Sequence, residues 1–86
     1  MFESVIHEVE ISGPQMEQVV VLPEGATTIG RHATNDLVFV HPLVSRKHVE
    51  LVVAGGTCRL MDMGSTHGTQ INRVTIEPET AVILAP

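Results

Sequence analysis

The chain has no tryptophan, no tyrosine and only two phenylalanines, Phe2 and Phe39. A core without aromatics must be filled by the Val, Ile and Leu side chains that dominate its 43% apolar residues. Such β-branched composition favours strands. Cysteine is almost absent. Cys58 stands alone, which excludes an internal disulfide framework. Its place in a predicted strand points to a small buried side chain rather than a reactive thiol. Basic residues are scarce as well. Arg31, Arg46, Lys47, Arg59 and Arg73 are the full set, and none lies in the first 30 residues, which hold five glutamates. A net charge of −5 argues against general affinity for nucleic acid or an anionic membrane surface. No apolar run approaches the roughly 20 residues of a membrane-spanning helix. The acidic start, with Glu3, Glu8 and Glu10, does not read as a signal peptide. A cytoplasmic protein, or an intracellular domain of a larger one, is the expectation. His7, His32 and His41 show no metal-ligand spacing with one another or with Cys58, so no metal and no cofactor are expected.

What is present is a series of short strands. Eighty-six residues make one domain. Val5, His7, Val9 and Ile11 alternate with Ile6, Glu8, Glu10 and Ser12, a two-residue period that predicts a strand with one wetter face. Ser12 to Gln15 reads as a turn, and Gln18 to Leu22 as a continuous apolar strand ended by Pro23-Glu24-Gly25. Thr27 to Ile29, Leu37 to Val40, Val49 to Val53, Thr57 to Met61, Gln70-Ile71, Val74 to Ile76 and Ala81 to Leu84 follow. Ala54-Gly55-Gly56 and Asn72-Arg73 mark turns between them. No helical period is sustained. An all-β sandwich or barrel is the fold class this pattern implies.

Three loops interrupt the strands with unusual chemistry. Gly30-Arg31 closes the third apolar run. Val44-Ser45-Arg46-Lys47-His48 holds two of the five cations beside a hydroxyl. Gly64-Ser65-Thr66-His67-Gly68-Thr69 carries two glycines and three hydroxyls. Convergence of these loops would make a pocket for one dianionic group, with a phosphate on threonine the best fit. Such a group carries about −1.5 to −2 charges and three acceptor oxygens. Arg31 offers a planar fork, Arg46 a second cation, and Ser45 and Thr66 hydroxyl donors. Gly64 and Gly68 let the backbone come close. Read singly, each has a plainer role. Arg31 could pair with Asp36 or a glutamate, Ser45 could cap a turn, and Lys47 reads as solvated.

Taken together, Gly30-Arg31, Ser45-x-x-His48, Asp62-x-Gly64-Ser-Thr-His-Gly-Thr69 and Asn72 resemble the forkhead-associated (FHA) domain. The resemblance in spacing runs from about Thr28 to Asn72. It implies an eleven-stranded β-sandwich of short antiparallel and mixed strands, with recognition loops at one end. The implied function is phosphothreonine-dependent binding of a partner protein in kinase-linked signalling or assembly, without catalysis. It further implies that Arg31 and Ser45 bind the phosphate, with Thr66 and Arg46 assisting. His48, Gly30, Asp62, Gly64, Gly68 and Asn72 would support the loops.

The chain departs from the family pattern twice. His67 occupies the place of an asparagine that holds the peptide main chain, and imidazole lacks the amide's coplanar donor and acceptor. After Asn72 the family continues with a Gly-Asp turn and two strands. Residues 76–86 supply one, so residues 1–86 are expected to form a single FHA-like domain with its final strand missing. An open edge of that kind predicts pairing with a partner strand or a second copy. A structural or dimerising module that needs no phosphate is thus the alternative reading. Ser45, His48 and Asp62 include the residue types of a hydrolytic triad, but no nucleophile-elbow pattern surrounds Ser45.

Overall fold

The structure, a computed structural model, describes residues 7–13 and 16–84. Nine strands are present among them and no helix. They are β1 (His7–Gly13), β2 (Met16–Leu22), β3 (Gly25–Gly30), β4 (Leu37–Val38), β5 (Val49–Ala54), β6 (Thr57–Asp62), β7 (Gln70–Ile71), β8 (Val74–Thr75) and β9 (Val82–Leu84). A five-stranded sheet has the order β4-β3-β5-β6-β9, while β1-β2 and β7-β8 are antiparallel hairpins.

Strand periodicity places the core. In β5 and β6 burial alternates strictly, so Val49, Leu51 and Val53 face inward opposite Asp62, Leu60 and Cys58. On β3, Thr27 and Ile29 join the same face, opposite Leu51 and Val49. Val20 and Leu22 of the first hairpin complete the buried cluster, and Ile71 and Ile76 pack against it. The two hairpins therefore cover one face of the main sheet and make the sandwich. The other face carries the exposed Arg59 and Ile83, paired across β6 and β9. Cys58 is buried at 2% exposure, and that burial pushes its thiol pKa up.

Local chemistry explains where the strands differ from expectation. Leu37–Val38 is the whole of β4, not Leu37 to Val40, and it pairs parallel to β3. Asp36 folds the connection back along β3: its Oδ2 accepts from the Thr28 amide (2.8 Å) and hydroxyl (3.2 Å), and its own amide donates to Thr28 Oγ1. Beyond β4 the His41 amide donates to the Phe39 carbonyl two residues back, which kinks the chain out of the sheet ahead of Pro42. The apolar run in β2 is not buried throughout. Val20 and Leu22 point inward, whereas Val19 and Val21 are each 57% exposed opposite Glu10 and Glu8. β3 begins earlier than Thr27, at Gly25. Ile76 lies outside β8, although its amide donates to the Thr69 carbonyl. The expected start at Val5 and the turn through Pro14 and Gln15 lie outside the described residues. Ser12 and Gly13 belong to β1.

Two hairpin turns require left-handed backbone. Gly55 and Gly56 supply it between β5 and β6 (φ 57° and 81°). Between Ile71 and Val74 the same role falls to Asn72 (φ 49°) and Arg73 (φ 69°). Asparagine tolerates this region, but a long side chain with a Cβ is strained there by roughly 1–2 kcal/mol. Arg73→Gly is therefore expected to stabilise the fold by about 1 kcal/mol, or ~5 °C in Tm, because relief of strain exceeds the added entropy of the unfolded chain. Thermal and urea unfolding measure it. A lower Tm would mean that the Arg73 side chain contributes more than its backbone strain removes.

Candidate functional site

Antiparallel pairing brings the three loops together. The end of β3, the start of β5 and the end of β6 all lie at one edge of the sheet, as the register Ile29–Val49–Asp62 shows. Gly30-Arg31, the stretch from Pro42 to His48 and the stretch from Met63 to Thr69 leave from that edge.

The first two loops are stitched backbone to backbone. The Arg31 amide donates to the Ser45 carbonyl (2.9 Å), and the His32 amide donates to the Arg46 carbonyl (3.2 Å). This close approach explains Gly30, because a Cβ there would collide with the Arg46 carbonyl oxygen and press on Asn35 Nδ2. Asn35 is itself buried. Its Nδ2 donates to the carbonyls of Arg46 (2.6 Å) and His32 (2.8 Å), so its side chain clamps both loops. Read from sequence, Asn35-Asp36 is only a turn pair. The available hint was the placement of an amide side chain between two basic loops. Among the described residues the Arg31 guanidinium makes no hydrogen bond, and Asp36, its simplest ion-pair candidate, is engaged by Thr28.

His48 joins the second loop to the third. The Ser45 amide donates to His48 Nδ1 (3.1 Å), which must therefore be the unprotonated nitrogen of a neutral ring. Nε2 then carries the hydrogen and donates to the Gly68 carbonyl (3.0 Å). Ser45 Oγ accepts from the Thr66 amide (3.0 Å). That bond fills an acceptor position on the hydroxyl and leaves its hydrogen without a described partner.

Asp62 organises the third loop. It is 2% exposed, at the end of an inward row that is otherwise apolar. Oδ1 accepts from the amides of Gly64 (2.8 Å) and Ser65 (2.7 Å). Oδ2 accepts from the hydroxyls of Ser65 (2.6 Å) and Thr69 (2.5 Å). Burial alone would raise the pKa of this carboxyl. The four donors outweigh that effect and hold it below the ordinary aspartate value. Gly64 and Gly68 both sit at positive φ, 83° and 82°, and let the loop close around the carboxylate. Ser65 and Thr69, unassigned in the sequence reading, are thus the hydroxyls that hold the loop. Thr66 remains exposed, and Asn72 sits in the β7-β8 turn and is not a partner in these bonds.

The resulting cleft has a volume of about 340 Å³ and is lined by Arg31, Pro42, Val44, Ser45, Arg46, Lys47, Gly64, Thr66 and His67. Three of its lining residues are cations and none is a carboxylate. Lys47, expected to be merely solvated, faces it too. Pro42 and the buried Val44 supply an apolar wall that no sequence motif marked.

A family model of the FHA domain matches residues 27–86. The Mycolicibacterium smegmatis glycogen accumulation regulator GarA is 36% identical over 73 residues, covering 85% of this chain and 44% of its own. The Corynebacterium glutamicum oxoglutarate dehydrogenase inhibitor is 35% identical over 72 residues, covering 84% of this chain and 48% of its own. The chain therefore spans about half the length of these curated relatives. Among solved structures, one described for phosphothreonine-dependent FHA domain interactions superposes with a TM-score of 0.70 at 31% identity, over 79% of this chain and 68% of that one.

The bonds of Asp62 carry a prediction. Asp62→Ala strands two hydroxyls and two amides and is expected to cost on the order of 3 kcal/mol. Its lowered folded-state pKa contributes stability that is present above the unfolded value of roughly 3.9 and is lost as pH falls through the folded value. Urea unfolding between pH 7 and pH 2 should show this loss in the wild type. In Asp62→Asn, which cannot titrate there, this acid-dependent component should vanish. Identical pH profiles for the two proteins would assign the acid sensitivity to other carboxylates.

Proposed function

The chain belongs to the FHA-domain family, and from that premise we propose that it binds a phosphothreonine segment of a partner protein. The observation that carries this reading is the cleft at the end of the sheet. It gathers Arg31, Arg46 and Lys47, three of the chain's five basic residues, with no lining carboxylate, in a protein of net charge −5. Its preset donor is Ser45, whose Oγ already accepts from Thr66 and so has its hydrogen left to give to an anion.

In this proposal Arg31 forks two phosphate oxygens, and Ser45 donates to a third contact. Arg46 adds charge, and the Thr66 hydroxyl assists from the rim. Each charge-assisted bond contributes roughly 1.5–3 kcal/mol before desolvation costs. Choice of threonine over serine needs an apolar surface for the γ-methyl, and Pro42 and Val44 are the apolar residues of the lining. The relatives support a role of this kind. GarA is a regulator, and a solved structure shows Mycobacterium tuberculosis EmbR with a low-affinity phosphopeptide.

The same geometry supports binding over catalysis. A nucleophilic serine needs a histidine nitrogen at its oxygen. Here His48 Nδ1 is held by the Ser45 amide rather than the hydroxyl, and Nε2 is taken by the Gly68 carbonyl. Asp62 faces Ser65 and Thr69 instead of the imidazole.

Fluorescence anisotropy with a degenerate phosphothreonine peptide pool tests the proposal, with phosphoserine and unphosphorylated pools as controls. Micromolar binding, about −8 kcal/mol, is expected for the phosphothreonine pool alone. Arg31→Ala, folded by circular dichroism, should weaken it at least ~10-fold, or ~1.4 kcal/mol. Binding that ignores the phosphate or Arg31 would transfer the function to another surface and favour the phosphate-independent module.

A further inference from the structure

The cleft contains one group whose chemistry differs from the rest. His67 is exposed in the lining and takes no part in the Asp62 bonds. Arg31, Arg46 and Lys47 keep a fixed charge across the physiological range. An imidazole is the side chain whose charge ordinarily changes between pH 5 and 8. Building on the phosphothreonine reading, we propose that His67 is a proton-coupled phosphate ligand: it is taken up as imidazolium when the phosphate enters the cleft, so that affinity depends on pH through this one residue.

The charges around His67 decide the direction. From the end of β3 comes Arg31, and from the second loop come Arg46 and Lys47. The third loop has no charged residue between Asp62 and Gln70, and the Asp62 carboxylate is saturated by Ser65, Thr69 and two amides. From the link into β9 comes Glu79, whose amide donates to the Asp62 carbonyl and whose carboxylate lies beside Gly64. The lining that His67 shares therefore carries three fixed cations. A bound phosphate brings about −1.5 to −2 charges into the same space and reverses that balance. Protonation is thereby favoured in the complex relative to the empty protein. By linkage the complex takes up a proton, and falling pH strengthens the His67 contribution.

The neutral ring has little to hold a peptide with. It offers one donor and one acceptor on opposite sides, not the paired, coplanar set of an amide. The charged ring offers two donors and a cation, which suits an oxygen-rich anion. His67 thus shifts the cleft from gripping ligand main chain toward gripping phosphate.

The test compares wild type with His67→Asn and His67→Gln, using one phosphothreonine peptide that binds the wild type, at pH 8.0, 7.0 and 6.0. The phosphate itself gains a proton near pH 6, which affects every variant alike. The ratio of variant to wild-type Kd removes this shared effect. That ratio is expected to rise by about fivefold or more from pH 8 to pH 6. Calorimetry in two buffers of different ionisation enthalpy should show more proton uptake by wild type than by either variant at pH 7. A ratio that stays flat, with equal proton uptake, overturns the role of His67 while phosphate- and Arg31-dependent binding stands. Failure of the folded wild type to bind phosphopeptide at any pH overturns the underlying reading, and this inference with it.

Discussion

The inward row of β6 runs Cys58, Leu60, Asp62, and the carboxylate at its end is what the recognition edge depends on. A charge in that position is costly unless every lone pair has a donor. The third loop satisfies it by wrapping: two amides on one oxygen and two hydroxyls on the other. The loop is therefore not a flexible excursion from the sheet. Its path is set by a buried anion that the core would otherwise exclude, and its outer residues, Thr66 and His67, are presented to solvent as a consequence.

From that fixed loop the order propagates by hydrogen bonds that each use a different group. The Thr66 amide reaches Ser45 Oγ, the Gly68 carbonyl receives His48 Nε2, and His48 Nδ1 receives the Ser45 amide. The Ser45 and Arg46 carbonyls then hold Arg31 and His32, with Asn35 as an added clamp. Scaffold donors and acceptors are consumed inside this circuit. Among the described residues the Arg31 guanidinium and the hydroxyl hydrogens of Ser45 and Thr66 have no partner in this circuit, and all three groups line the cleft. Preorganisation of this kind lowers the ordering cost of binding a ligand.

Much of this edge was legible in the residues. Glycines and prolines punctuated the strands, and Ala54-Gly55-Gly56 marked the turn between the strands expected at Val49 to Val53 and Thr57 to Met61. The expected convergence of Gly30-Arg31, Ser45 and Thr66 follows from the antiparallel pairing of β3, β5 and β6. Other features were invisible for physical reasons. The four valine and leucine side chains of Val19 to Leu22 look alike, and periodicity cannot say that Val19 and Val21 lack a covering layer. Asn35 has the composition of a turn residue, and only the close approach of the loops at Gly30 makes it a clamp. The shortness of β4 depended on Asp36 reaching back to Thr28, a contact eight residues apart that propensity does not register. Val44 entered the cleft wall because the Val44 amide turns back to the His41 carbonyl.

The electrostatic design follows from the same arrangement. The first 30 residues hold five glutamates and no Lys or Arg, while three of five cations share one cleft of about 340 Å³. A basic surface of that size matches the charge of one phosphate. The acidic remainder of the domain confines the positive field to that cleft. Apolar Pro42 and Val44 beside the cations lower the local dielectric, which strengthens each charge-assisted bond made there. Scarcity of positive charge thus sharpens the field: concentrating three of five cations at one sheet edge gives an acidic chain a single small anion-favouring cleft.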